Sequence, residues 1–250
     1  MKNILCTLIL LAAISAQSAD KKPVKVFILA GQSNMEGKGK VDPLLNHQIH
    51  APETKEFFAH LHKDGKYIDR EDVWINFLNR RGRLTVGFGS PGRIGPELEF
   101  GHVVGDHYEE PVLIIKTAWG GKSIGRDFRP PSSGLPPKEE LDEAVNNMVN
   151  RDYNNLVRNA MNTAKKENPK VTRKDIEAQL KVTKEMILKE KGAEFRKQVI
   201  DSQGHFYRLM MEEIAVNLKE LKQRFPDYDG RGYELAGFVW FQGWNDMYGP

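Results

Sequence analysis

Apolar residues along this chain fall into two textures: short near-continuous runs, and stripes at helical spacing. The first run is Val24-Lys25-Val26-Phe27-Ile28-Leu29-Ala30, ending abruptly at Gly31. A second spans residues 111–118 and stops before Gly120-Gly121, and a third spans 235–241 and is followed by Gln242-Gly243. Runs of this kind suit strands covered on both faces of a parallel sheet. Each stops at a glycine-containing loop, and in open α/β sheets the loops at the carboxyl ends of the strands form the ligand crevice.

Between the runs the spacing is helical. Gly95-Pro96-Glu97 predicts a helix start, with Pro at the first helical position and Glu97 and Glu99 complementing the N-terminal dipole. Phe206, Met210, Ile214, Leu218, Leu221 and Phe225 form one stripe that would pack on a sheet face. Residues 136–203 differ: they are rich in Lys, Glu, Asn and Arg and poor in large apolar side chains. Two or three solvated helices are expected there, one opening at Thr172-Arg173-Lys174-Asp175, which resembles a capping box with Asp for Glu.

The N-terminus changes the picture. A basic start at Lys2, an apolar run from residue 4 to 14 and small residues to Ala19 read as a cleaved secretory signal over residues 1–19. The run is too short to span a membrane, which takes roughly 20 residues. No membrane anchor is then expected after cleavage, and the protein is expected to be secreted or periplasmic. The one cysteine, Cys6, lies within that leader, which rules out a cysteine nucleophile or disulfide in the remainder. With 250 residues, 40% hydrophobic, the chain can bury a full core, and a formal charge of +3 points to no nucleic-acid partner.

Candidate chemistry sits on the strand ends. Ser33, two residues after Gly31, could present its hydroxyl at the sheet edge, although Gly-x-Ser alone is weak. Ester hydrolysis through serine also needs a base and donors aimed at the oxyanion. The turn Trp119-Gly120-Gly121-Lys122-Ser123 can offer a backbone N–H, and Gln242 a side-chain amide. Gly87-Phe88-Gly89-Ser90-Pro91-Gly92 matches a dinucleotide fingerprint formally, but Pro91 disrupts the required path and a flexible loop is the expected reading. His60 and His62 lack any metal-ligand signature, so an exposed pair is expected and no metal site.

The blocks Val26-Phe27-Ile28-Leu29-Ala30-Gly31-Gln32-Ser33-Asn34-Met35, Ile115-Lys116-Thr117-Ala118-Trp119-Gly120-Gly121 and Trp240-Phe241-Gln242-Gly243-Trp244-Asn245-Asp246 resemble the sialate O-acetylesterase domain. This is the carbohydrate-esterase branch of the SGNH hydrolases, similar to acetylxylan esterases. The resemblance covers about residues 24–135 and 204–250. It implies a three-layer α/β/α sandwich with a parallel sheet, and removal of O-acetyl groups from an acetylated carbohydrate without metal or organic cofactor. Ser33 matches the nucleophile; its own N–H, Gly120 or Gly121, and Gln242 match the oxyanion hole. Trp119, Asp127 and Arg129 could touch a sugar, with plain packing roles equally open.

Two departures stand out. Residues 136–203 look like a charged helical insertion in the domain expected over 20–250. The family's base is a histidine in an Asp-x-x-His segment after the Gln-Gly block, and none follows Gln242 here. The catalytic Asp and His are therefore expected beyond residue 250, and the domain is expected to be C-terminally incomplete. Losing a triad histidine costs on the order of 10⁶ in kcat, so this chain alone is expected to be inactive. The alternative is a non-catalytic carbohydrate-binding or structural relative that keeps the crevice without the base.

Overall fold

The computed structural model describes residues 21–248; the leader expected at 1–19 lies outside the described residues. The chain forms two compact units, one comprising residues up to Gly121 with Glu212–Gln242, the other Lys122–Met211 with Gly243 onward.

The first unit holds β1 (Val24–Gly31), α1 (Ser33–Glu36), β2 (Gly39–Lys40), α2 (Asn46–His50), β3 (His62–Lys63), β4 (Lys66–Tyr67), β5 (Arg70–Phe77), β6 (Arg80–Leu84), β7 (Arg93–Ile94), α3 (Pro96–His107) and β8 (Val112–Ala118). Five strands make the main sheet in the order β6-β5-β8-β1-β9, where β9 is Tyr233–Phe241. Every pairing is parallel except the β5–β6 hairpin.

Alternation along each strand sorts the core onto two faces. Phe27, Leu29, Val112, Ile114 and Ile75 join one cluster, against which Phe100 and Val104 of α3 pack. Val26, Ile28, Leu113 and Ile115 join the other, covered by Ile214, Leu218, Leu221 and Phe225. The result is an α/β/α arrangement, as the strand and helix patterns require. Each fully buried aliphatic side chain contributes roughly 1.5–3 kcal/mol to holding it.

The structure departs from three expectations. The 235–241 run was expected to be covered on both faces, but β9 is an edge strand. It pairs with β1 alone among the described residues, and Leu235, Phe238 and Trp240 stay exposed. An apolar run reports that a strand can be buried, not its place in the sheet. The stripe from His205 to Phe225 divides into α7 (His205–Lys219) and α8 (Leu221–Arg224), because Glu220 leaves helical dihedrals at φ −107° and ψ 24°. The loop at 87–92 is held rather than flexible: Phe88 and Ser90 are buried, Gly89 N–H donates to Arg93 O at 2.8 Å, and Arg80 donates to the carbonyls of Gly87 and Gly89.

His102 lies buried on α3, with His60 at a ring distance of 5.2 Å and Arg70 at 3.5 Å; Arg70 also pairs with Asp72 and Asp106, and His60 with Glu99. Burial first, then the charges of Arg70 and His60, pushes the His102 imidazole below its ordinary 6.5. Unfolding therefore takes up a proton just below that value, and stability falls as pH drops through 6.5 toward the lower folded value. His102→Gln is expected to flatten the decline in thermal midpoint between pH 7 and 5, read by calorimetry. An unchanged slope in the variant would contradict this.

The second unit holds α4 (Lys138–Glu167), α5 (Arg173–Gln179), α6 (Lys184–Ser202) and the start of α7. Leu141, Val145 and Val149 recur four apart and pack on Ile187, Phe195 and Val199 of α6. This small apolar seam runs among the charges of the 136–203 stretch. Thr172 and Asp175 make the expected capping box at the start of α5. No helix among the described residues is long and apolar enough to cross a membrane.

Candidate functional site

The carboxyl ends of three strands meet in the first unit. Gly31 of β1 stands in register with Ala118 of β8 and Phe241 of β9. Backbone bonds continue past the ladder: Trp119 N–H donates to Gly31 O at 3.2 Å, and Gln32 N–H to Phe241 O at 3.3 Å. A β-carbon on Gly31 would lie 2.1 Å from Phe241 O, so only glycine lets β1 end this close to β9. Ser33, Trp119, Gly120, Gly121 and Gln242 thus leave the same edge of one sheet.

Ser33 is the first residue of α1, a single turn closed by Glu36 N–H to Gln32 O at 2.8 Å and Gly37 N–H to Ser33 O at 3.0 Å. Met35 anchors that turn in the core, leaving Ser33 partly exposed. Its hydroxyl donates to the side-chain carbonyl of buried Gln32 at 2.7 Å. Among the described residues no histidine is hydrogen-bonded to it. His60 pairs with Glu99 at 2.8 Å, His62 packs on Tyr67, His102 is buried on α3, and His205 is exposed in the second unit. No group of three or more His, Cys, Asp or Glu among the described residues could hold a metal ion.

The glycine turn after β8 lies beside α1. A β-carbon on Gly120 would come within 3.8 Å of the Ser33 β-carbon and 2.8 Å of Glu36 Oε2. Gly121 has φ +72°, a left-handed conformation that favours glycine.

Asp127 and Arg129 belong to the second unit. The buried Asp127 carboxylate accepts from Ser123 N–H at 3.0 Å, the Ser123 hydroxyl at 3.3 Å and Arg126 at 3.3 Å. Arg129 donates to the carbonyls of Gly125, Ser133 and Gly134. Both side chains organise their own loop.

Beneath α1 lies a polar cluster that sequence reasoning missed. Lys116 of β8 and Glu97 of α3 form an ion pair at 2.5 Å with both side chains fully buried. Lys116 also donates to Glu36 O and Phe88 O at 2.9 Å each, and its ammonium sits 4.5 Å from the Phe77 ring centroid. Glu97 accepts Gly95 N–H at 2.8 Å, so it does more than complement a helix dipole. The available signal was a lysine inside a strand whose other residues, Thr117 apart, are apolar. A buried charge needs a partner, and Glu97, one residue after Pro96, was the charge to look for.

Residues 23–180 match the family described as carbohydrate esterase, sialic acid-specific acetylesterase. The match includes the Ser33 and Gly120-Gly121 blocks and runs on through α4 and α5; Gln242 lies outside it. No curated protein matches. A solved structure of a protein from Arabidopsis thaliana is similar at 14% identity, covering 88% of this chain and 85% of that one, with a TM-score of 0.29.

Proposed function

Because this chain belongs to the carbohydrate esterase, sialic acid-specific acetylesterase family, we propose that it removes O-acetyl groups from a carbohydrate by acyl transfer through Ser33. The observation that carries the reading is the meeting of Ser33, Gly120 and Gln242 at one sheet edge, set by the register of Gly31 with Ala118 and Phe241. The Ser33 hydroxyl attacks the acetyl carbonyl while its proton passes to solvent water, no histidine among the described residues being hydrogen-bonded to it. The negative charge on the carbonyl oxygen is met by the N–H of Ser33, a glycine N–H of the 120–121 turn and the Gln242 amide. The sugar oxygen leaves with a proton, and water then releases acetate from the acetyl-serine. We place this reaction outside the cytoplasm, on the apolar run at residues 4–14.

One observation favours a second reading, a carbohydrate-binding relative without turnover: the Ser33 hydroxyl donates to Gln32 rather than to a base. One experiment separates the two. Incubation with an aryl acetate, followed by peptide mass mapping, is expected to find an acetyl group on Ser33, because a weakly assisted serine deacylates slowly. Ser33→Ala is expected to take up none on that peptide. Equal labelling of the variant removes Ser33 from the reaction. Binding of an acetylated oligosaccharide without labelling of Ser33 favours the second reading.

A further inference from the structure

Glu36 ends the one-turn helix that Ser33 begins, and both of its polar ends are held. Its backbone carbonyl accepts from the buried Lys116 ammonium at 2.9 Å. Its carboxylate accepts the Ser90 hydroxyl at 2.5 Å and Lys38 Nζ at 2.9 Å, and it lies against the backbone of Gly120. Ser90 is fixed in turn by its own N–H, which donates to Gly37 O at 3.0 Å, and by Lys38 Nζ at 2.7 Å. The carboxylate occupies the space a side chain at position 120 would fill, since a β-carbon there would stand 2.8 Å from Oε2.

We propose that Glu36 is a positioning residue that ties the nucleophile turn to the Gly120-Gly121 turn and so sets the distance from Ser33 to the oxyanion donors. The link runs through one side chain: α1 carries both Ser33 and Glu36, and the Glu36 carboxylate grips the backbone of the glycine turn. Alternative roles fit less well. Donors from Ser90 and Lys38 outweigh burial and hold the Glu36 carboxyl below the ordinary carboxylate range, which makes it a poor proton acceptor.

The inference rests on Ser33 being the nucleophile, and the test keeps the two apart. The rate of Ser33 acetylation by an aryl acetate is measured across ester concentration for the parent chain, Ser33→Ala, Glu36→Ala and Glu36→Gln. Glu36→Ala is expected to lower the limiting rate about 100-fold, the effect of displacing a reacting group by roughly 1 Å, with little change in the half-saturating concentration. Glu36→Gln keeps a carbonyl oxygen against the Gly120 backbone and is expected to recover most of that loss. The Gly120 amide proton is read by NMR in the same proteins, and is expected to move upfield in Glu36→Ala and less in Glu36→Gln. If Glu36→Ala does not fold, Ser90→Ala supplies the same readouts, with a smaller loss of rate and a shifted Gly120 resonance. Labelling of Ser33→Ala defeats the nucleophile reading. A blank Ser33→Ala beside a Glu36→Ala labelled at the parent rate, or with its Gly120 resonance unmoved, overturns the positioning role alone.

Discussion

Lys116→Met is expected to destabilise the fold by about 3–5 kcal/mol, the usual result of stripping one partner from a buried ion pair. The substitution leaves the Glu97 carboxylate with no exposure and no cation, and leaves the Glu36 and Phe88 carbonyls without the ammonium that served both. Methionine fills most of the lysine volume, so the loss reports charge and hydrogen bonding rather than a cavity. Burial already pushes the Lys116 ammonium down from its ordinary value against the pull of Glu97; the pair is costly to bury and more costly to break. Urea unfolding is the measurement, with the midpoint shifted at constant slope. The double variant Lys116→Met, Glu97→Leu is expected to recover much of the loss, because an apolar pair often replaces a buried ion pair at little cost. Recovery stays partial because the two carbonyls remain unserved. Amide exchange at Gly37 and Ser90 is then expected to stay faster than in the parent, since both sit on the turns those carbonyls anchor. A single variant as stable as the parent would show that the pair does not hold this cluster.

Gly31→Ala is expected to cost about 3 kcal/mol or more, in the range reserved for core clashes and strained backbone. Its β-carbon would stand 2.1 Å from Phe241 O and 2.8 Å from the attached carbon, both backbone atoms that cannot swing away. Relief requires β1 and β9 to part at their carboxyl ends, where Gln32 N–H bonds Phe241 O. The same movement separates Ser33 from Gln242. Labelling of Ser33 by an aryl acetate is therefore expected to fall by more than the loss of folded protein explains, a comparison made at a temperature where the variant remains folded. Parent-like stability would mean that the strand ends are not as tightly joined as the register implies.

The strands carrying Ser33 and the Gly120-Gly121 turn were legible because a run buried on both faces has to be apolar nearly throughout. The start of α3 was legible from Pro96, and the capping box from Thr172 and Asp175, because those signals act within one helical turn. β5 was not legible. It opens Arg70-Glu71-Asp72, and only its second half, Val73 to Phe77, is buried. The seam of α4 against α6 was masked as well, because three apolar residues four apart hardly change the average of a charged stretch.

What the sequence determined by itself is local: which segments become strands and helices, and that Ser33, Gly120-Gly121 and Gln242 each follow a strand end. Tertiary structure decided the rest. It placed β9 at the sheet edge, brought three strand ends into register, and joined Lys116 to Glu97 and Glu36 to Gly120. These choices couple residues 19 and 84 positions apart in the chain. No periodicity reports such a pairing, because the energy of a buried charge or a shared hydrogen bond depends on which partner the fold delivers.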